Sequence, residues 1–282
     1  MVAGCFESGK IIGEKAMNTK SLKLVCFSPT GTTKAILQGI ARGLSHGNIE
    51  IVDITTPGAR KQALKMSENE LLVVGVPVYM GRVPALITEW LRAINAQNTP
   101  TVCVVVYGNR AYEDALLELT DLLMPCGCMP IAGAAFIGEH SFSGNEFPTA
   151  KGRPDQVDLY LAELFGQRIQ KKLNSISSVA NISAVKMPGC NPYRWNGKLW
   201  NVDFIEVSDD CTRCRICEMH CPVGAIDSEN CSVIDQEKCI TCCACIKKCP
   251  QNARKMKAGL VKDGAIRLIN LYKERKEPEF FL

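Results

Sequence analysis

Residues 22–33 read Leu22-Lys23-Leu24-Val25-Cys26-Phe27-Ser28-Pro29-Thr30-Gly31-Thr32-Thr33, and Ile36, Ile40 and Leu44 follow at helical spacing. An apolar run, a hydroxyl-rich turn with a glycine and an amphipathic helix make one strand-turn-helix unit. Such a turn is a phosphate cradle, because backbone N–H groups and side-chain hydroxyls converge at the positive end of the helix. It fits neither Gly-x-x-x-x-Gly-Lys-Ser/Thr nor Gly-x-Gly-x-x-Gly, which disfavours a nucleoside triphosphate or a dinucleotide. Working outward, Glu50 to Ile54, Leu71 to Val76, Val102 to Tyr107 and Ile131 to Ile137 are further apolar or β-branched runs separated by helix-length stretches. This is the pattern of a parallel sheet buried on both faces, and it predicts a doubly wound α/β domain with a five-stranded parallel sheet over residues 21–174.

Ligands of such sheets sit beyond the carboxyl ends of the strands, so the turns after strands one, three and four should line one pocket. The third strand is followed by Pro77-Val78-Tyr79-Met80-Gly81-Arg82-Val83-Pro84 and the fourth ends in Tyr107-Gly108-Asn109-Arg110-Ala111-Tyr112-Glu113-Asp114. The first turn, Ser28 to Thr33, matches the Ser/Thr-x-Thr-Gly-x-Thr phosphate loop of the flavodoxin family at every specified position, and the domain resembles that family. The resemblance implies FMN, held by Ser28, Pro29, Thr30, Gly31, Thr32, Thr33, Pro77, Val78, Tyr79, Met80, Gly81, Tyr107, Gly108, Asn109, Arg110, Tyr112 and Asp114. Under it Tyr79 and Tyr112 flank the isoalloxazine ring, where aromatic stacking holds a flat ligand. Gly81 permits the backbone change that lets a carbonyl accept from reduced flavin N5. The cradle holds no charged residue; Lys34 follows it, and if Lys34 points away the hydroquinone potential is expected to be low. Glu139 and His140 could line the far side of the pocket, although a hydrogen-bonded structural histidine is the plainer reading.

Cysteine is the compositional outlier, with 16 in 282 residues. Cys211, Cys214, Cys217 and Cys221, followed by Pro222, recur with identical spacing as Cys239, Cys242, Cys245 and Cys249, followed by Pro250. Each run is Cys-x-x-Cys-x-x-Cys-x-x-x-Cys-Pro, a four-iron cluster spacing. Three closely spaced thiolates wrap three corners of a cubane and the fourth points to the neighbouring cluster. The expected ligand sets are therefore crossed: Cys211, Cys214, Cys217 and Cys249 for cluster one, Cys239, Cys242, Cys245 and Cys221 for cluster two. Paired zinc sites are the competing reading, but zinc usually takes two separated cysteine pairs. The segment resembles the two-[4Fe-4S] bacterial ferredoxins. It departs from that pattern where the first repeat has Ala225-Ile226 and the second Ala253-Arg254, which puts the packing and potential of that cluster in question. Nine acidic and eight basic residues between Asp203 and Lys257, with Arg213, Arg215, Lys247 and Lys248 inside the ligand runs, point to potentials less negative than usual.

The remaining segments are read more coarsely. Residues 1–20 form an N-terminal extension, 175–203 a connector, 204–257 a small α+β ferredoxin domain and 258–282 a tail. Lys172 to Asn181 is the expected domain boundary. Asn191 to Trp200, with an Asn-Gly signal and two tryptophans, is expected to pack between domains as a hairpin or ordered loop. Ile266 to Tyr272 should form a short amphipathic helix, with Phe280, Phe281 and Leu282 in core packing or a subunit contact. Cys231 and Cys243 read as ordinary buried thiols. A net charge of +4 with dispersed cations gives little support to nucleic-acid binding. The apolar runs are too short to span a membrane and no secretory signal is visible, so a cytoplasmic protein is expected.

Together the two halves resemble the flavodoxin-ferredoxin fusion proteins of anaerobes. That implies electron transfer between FMN and two [4Fe-4S] clusters, with ferredoxin-like donors or acceptor oxidoreductases as partners and a homo-oligomer left open. A ferredoxin-dependent flavin reductase and an iron-sulfur redox sensor are the alternatives; no second nucleotide fingerprint favours direct use of NAD(P)H.

Overall fold

A computed structural model describes residues 19–66, 69–176, 183–197 and 199–282. The sequence-predicted extension 1–20 therefore lies almost wholly outside the described residues. The first part of the chain alternates β1 (Ser21–Cys26), α1 (Thr32–Leu44), β2 (Ile49–Asp53), β3 (Glu70–Pro77), α2 (Ala85–Arg92), β4 (Thr99–Tyr107), α3 (Ala115–Leu123), β5 (Cys128–Ile137) and α4 (Gln156–Ser175). The strands pair in parallel in the order β2-β1-β3-β4-β5. That is the flavodoxin-like order, in which the winding reverses between β1 and β3 and opens a crevice at their carboxyl ends. The doubly wound five-stranded parallel sheet read from the sequence is thus present.

Why these residues form this sheet is plain from burial. Leu71 to Val74 and Val102 to Val105 are buried without exception, so both faces of the central strands must be apolar. One face, with Leu24, Val104 and Phe136, packs under α1 and α4; the other, with Val25, Val74 and Val105, packs under α2 and α3. The helices α1 and α4 approach closely, since a methyl group at Gly43 would lie 1.9 Å from the Glu163 carbonyl oxygen. β4 and β5 begin three residues earlier than their apolar runs suggest, because Pro100 and Pro130 lie within them beside a register shift at Thr101/Val102. Proline reads as a strand breaker away from edges and bulges, and the irregularity accommodates both.

Of the expected boundary, residues to Ser175 complete α4 and Lys172 donates to the Ile131 carbonyl at 2.8 Å; residues 177–182 lie outside the described residues. The connector is a strap laid on the α/β domain rather than a hairpin. Val185 N–H donates to the Pro130 carbonyl, Met187 enters the core, and the buried Asp114 carboxylate accepts from the N–H groups of Cys190 and Arg194 and from the Arg194 guanidinium.

The cysteine-rich segment contains β6 (Ile205–Val207), α5 (Ile216–Met219), α6 (Ala244–Lys247) and β7 (Arg254–Met256), with β6 and β7 antiparallel. Its sequence repeat is also a backbone repeat. Arg213, Arg215 and Gly224 of the first half and Thr241, Cys243 and Asn252 of the second all have φ between 51° and 62°, so each half bends through the left-handed region at the same places. α7 (Leu260–Leu271) and β8 (Glu279–Phe281) then return to the first domain. β8 pairs antiparallel with β5 and Phe280 stacks on Phe165 at 4.9 Å. This sixth strand was not read from the sequence; three residues beside Pro278 carry too little periodicity to mark it. No helix among the described residues is long and apolar enough to cross a membrane.

Candidate functional site

A cavity of about 530 Å³ opens at the carboxyl ends of the parallel strands. Of the residues expected there, Thr30, Thr32, Pro77, Val78, Tyr79, Met80, Gly81, Tyr107, Gly108 and Arg110 line it. Ser28, Pro29, Gly31, Thr33, Asn109, Tyr112 and Asp114 do not. Several of these shape the wall instead. Ser28 Oγ accepts from Lys34 N–H at 3.1 Å while its own N–H donates to Thr55 Oγ1 at 2.8 Å, which closes the turn. Gly31 caps α1 at φ 95°, and that helix starts with no side-chain cap. Asn109 donates to the carbonyls of Tyr272 and Glu274, both at 2.9 Å, and so anchors the chain after α7.

Tyr112 turns away from the cavity. Its hydroxyl donates to Glu279 Oε2 at 2.8 Å and its ring packs 5.5 Å from that of Tyr107, so it secures β8 rather than facing a ligand. Asp114 is committed to the strap. The aromatic surface that closes the cavity comes from residues with no local signal for it: Trp195 and Trp200 of the strap, with Leu260, Gly264 and Leu268 of α7. Arg82 positions the strap, pairing with Glu118 through two bonds of 2.7 Å and lying over the Tyr193 ring at 4.3 Å.

The lining fits a phosphorylated planar ligand. Thr33 Oγ1 is buried at the helix start without a partner, and buried hydroxyls ordinarily find one. Lys34 Nζ is 3.1 Å from Asp53 Oδ2, so its charge is engaged at the end of β2. Burial would raise the Asp53 carboxyl, but hydrogen bonds from Thr55 and Lys34 hold it below its ordinary value. On the far wall His140 accepts from Phe142 N–H through Nδ1 at 3.0 Å, leaving its proton on Nε2. Burial, with Lys247 and Arg110 nearby, pushes the His140 pKa down to about 4; the imidazole is neutral at physiological pH.

The eight cysteines ring two further cavities. Cys211, Cys214, Cys217 and Cys249 line one, and Cys221, Cys239, Cys242 and Cys245 the other. Each of these sets takes one cysteine from the opposite repeat; Cys231 also lines the first cavity and Cys243 the second. Burial pushes the Cys245 thiol up to about 12, the charge of Arg254 only partly opposing it, and raises Cys217, Cys239 and Cys242. Thiolates in such a place need a cationic centre to neutralise them, which is the chemistry of thiolate metal ligation. Ile240 lines both the second cysteine cavity and the large cavity. Tyr79 lines the large cavity close to this set, and burial, with Cys242 and Cys243 nearby, raises its phenol well above the usual range. Arg60 adds a tie at the first domain's edge, donating to the Pro222 carbonyl at 2.6 Å.

Comparison with known proteins bears on the two halves differently. The family described as 4Fe-4S binding domain matches residues 205–227 and 232–255. Ferredoxin-2 of Chlorobaculum tepidum is 39% identical over 51 residues, which cover 16% of this chain and 82% of that protein. A component of the ion-translocating oxidoreductase complex of Methanosarcina acetivorans is 52% identical over 44 residues, 15% of this chain and 17% of that protein; the chain thus spans a small part of that relative's length. Among solved structures, a flavodoxin from the domain Archaea shares 18% identity, covering 54% of this chain and 98% of that one at a TM-score of 0.37. A Fusobacterium nucleatum flavodoxin bound to flavin mononucleotide shares 14%, covering 54% and 96% at a TM-score of 0.33.

Proposed function

We propose that this chain, which belongs to the 4Fe-4S ferredoxin family through residues 205–255 and carries a flavodoxin-like domain ahead of them, transfers electrons between FMN and two [4Fe-4S] clusters. The observation that carries the reading is Ile240, a wall shared by the large cavity and the cavity of Cys221, Cys239, Cys242 and Cys245. Bound in these sites, FMN exchanges one or two electrons and each cluster one, so together they convert paired electrons to single ones.

The chain's residues have separable roles. Thr30 and Thr32 hold the phosphate at the start of α1, with the orphaned Thr33 hydroxyl buried behind them, and Lys34 is held by Asp53. Tyr79, Met80 and Gly81 form a tight turn, Tyr79 and Arg82 exchanging two backbone hydrogen bonds of 3.0 Å, that presents its backbone to the ring. Trp195, packed against Gly81, together with Trp200 and α7 covers the cavity and excludes water from it. His140 offers a neutral Nε2–H. Of the two cysteine sets, the one around Cys242 abuts the flavin site, whereas Cys214 of the other is exposed; redox partners meet the chain at that outer set. The working units are residues 21–174 for FMN, 175–203 as a connector, 204–257 for the clusters, and 258–282, whose α7 closes the flavin site.

Anaerobic purification, metal and flavin analysis and a spectroelectrochemical titration test this. About eight irons and one FMN per chain are expected, titrating as three centres. Zinc in place of iron, or a chain that retains no flavin, overturns it.

A further inference from the structure

The two cysteine cavities share their ligand spacing but differ in charge at one buried position. Ile226, five residues after Cys221, lines the cavity of Cys221, Cys239, Cys242 and Cys245. Arg254, five residues after Cys249, lines the cavity of Cys211, Cys214, Cys217 and Cys249. Arg254 is 2% exposed and opens β7 opposite Val207. One arm of its guanidinium donates to the Cys231 carbonyl, while Nη1 is buried without a partner. No carboxylate among the described residues pairs with it.

A buried cation lacking an anion costs several kcal/mol even after relaxation. An aliphatic side chain would fill the place without that cost, as Ile226 does in the matching position. The charge is accounted for by what the cavity receives. A four-iron cluster with four thiolates is anionic and gains a further negative charge on reduction, so a cation beside it favours the reduced form. Arg254 borders the first cavity and not the second, although its charge is also felt at Cys245 of the second set.

Resting on the cluster assignment above, we infer that Arg254 is a buried counter-charge that sets the two clusters apart, making the outer one, held by Cys211, Cys214, Cys217 and Cys249, the easier to reduce. The chain then takes an electron at its exposed cluster before the cluster beside the flavin site. Arg213 and Arg215 also border the outer cavity, but both are exposed and their charges are screened by water, unlike that of Arg254. Arg215 is exposed and pairs with Glu218, and Lys247 is occupied by Glu139.

The test is an EPR-monitored redox titration of the loaded full-length chain, with iron content measured alongside, for the wild type, Arg254→Ile and Arg254→Lys. The wild type should show two separated cluster steps. Arg254→Ile, which copies the first repeat, should lower the higher step by at least a tenfold change in the reduced-to-oxidised ratio, about 59 mV for a one-electron couple. Arg254→Lys should restore most of the separation. Loss of iron in Arg254→Ile but not in Arg254→Lys also supports the counter-charge. Unseparated wild-type steps, an unchanged separation in Arg254→Ile with iron retained, or equal iron loss in both variants overturns it. A wild type without iron-sulfur clusters would instead sink the underlying assignment, and the wild-type iron count distinguishes the two failures.

Discussion

Lys247, two residues beyond Cys245, donates to Glu139 just past the end of β5, Nζ to Oε1 2.6 Å, and to the Ser143 carbonyl at 3.0 Å. The ion pair joins the helix carrying a cluster ligand to the rim of the flavin-sized cavity, and both side chains are largely buried. Burial alone would raise the Glu139 carboxyl; Lys247 and the Gly152 N–H instead bring it below its ordinary value. A depressed carboxyl contributes stability above its unfolded pKa, about 4.3, that is lost as pH falls through the folded one. Lys247→Met should therefore cost about 1–3 kcal/mol at pH 7. The difference should shrink below about pH 4. Urea unfolding of both proteins at the two pH values checks this.

His140 makes a separate contribution with its own window. Its pKa falls from 6.5 to about 4, mainly through burial. The unfolded chain therefore binds a proton first, and the native state is penalised progressively as pH drops from 6.5 towards 4, while above 6.5 the stability is fully present. The slope is up to about 1.4 kcal/mol per pH unit. His140→Gln should flatten the stability profile in that interval, read as the difference from wild type in denaturant midpoints; identical slopes would contradict the neutral imidazole.

Gly108 has no room for a side chain. A methyl group there would fall 2.2 Å from His140 Cδ2, while one at Gly144 would meet nothing within 4 Å. Gly108→Ala should displace His140 into the cavity and weaken FMN retention at least tenfold, roughly 1.4 kcal/mol. Gly144→Ala should leave it unchanged. Flavin dissociation measured by fluorescence recovery separates the two.

The crossed sets predict iron loss across the repeats. Cys221→Ser belongs to the first run but should remove the cluster beside the flavin site; Cys249→Ser belongs to the second and should remove the outer one. Each should lose about four of eight irons. Both should also slow the flavin's reduction by added dithionite-reduced ferredoxin, Cys249→Ser by removing the outer entry point and Cys221→Ser by removing the step beside the flavin site. If each variant instead lost the cluster of its own run, the crossing would be wrong.

Much of this architecture lay open in the sequence, because it is written in neighbouring residues. A strand covered on both faces must be apolar throughout, so Leu71 to Val76 and Val102 to Tyr107 announced themselves. Cys-x-x-Cys spacing is likewise local, fixed by how tightly a backbone can wrap a cluster, and it marked out the eight cysteines that line the two cavities. Tertiary structure alone decided which loop residues face inward. Asp114 is spent on Arg194, 80 residues away, and Tyr112 on Glu279, 167 residues away. Trp195, Trp200 and α7 became a cavity wall, and Arg254 a buried cation, only through the path of the chain. Residues so far apart share no periodicity. Their meeting is set by how the elements pack, and local pattern carries no record of it.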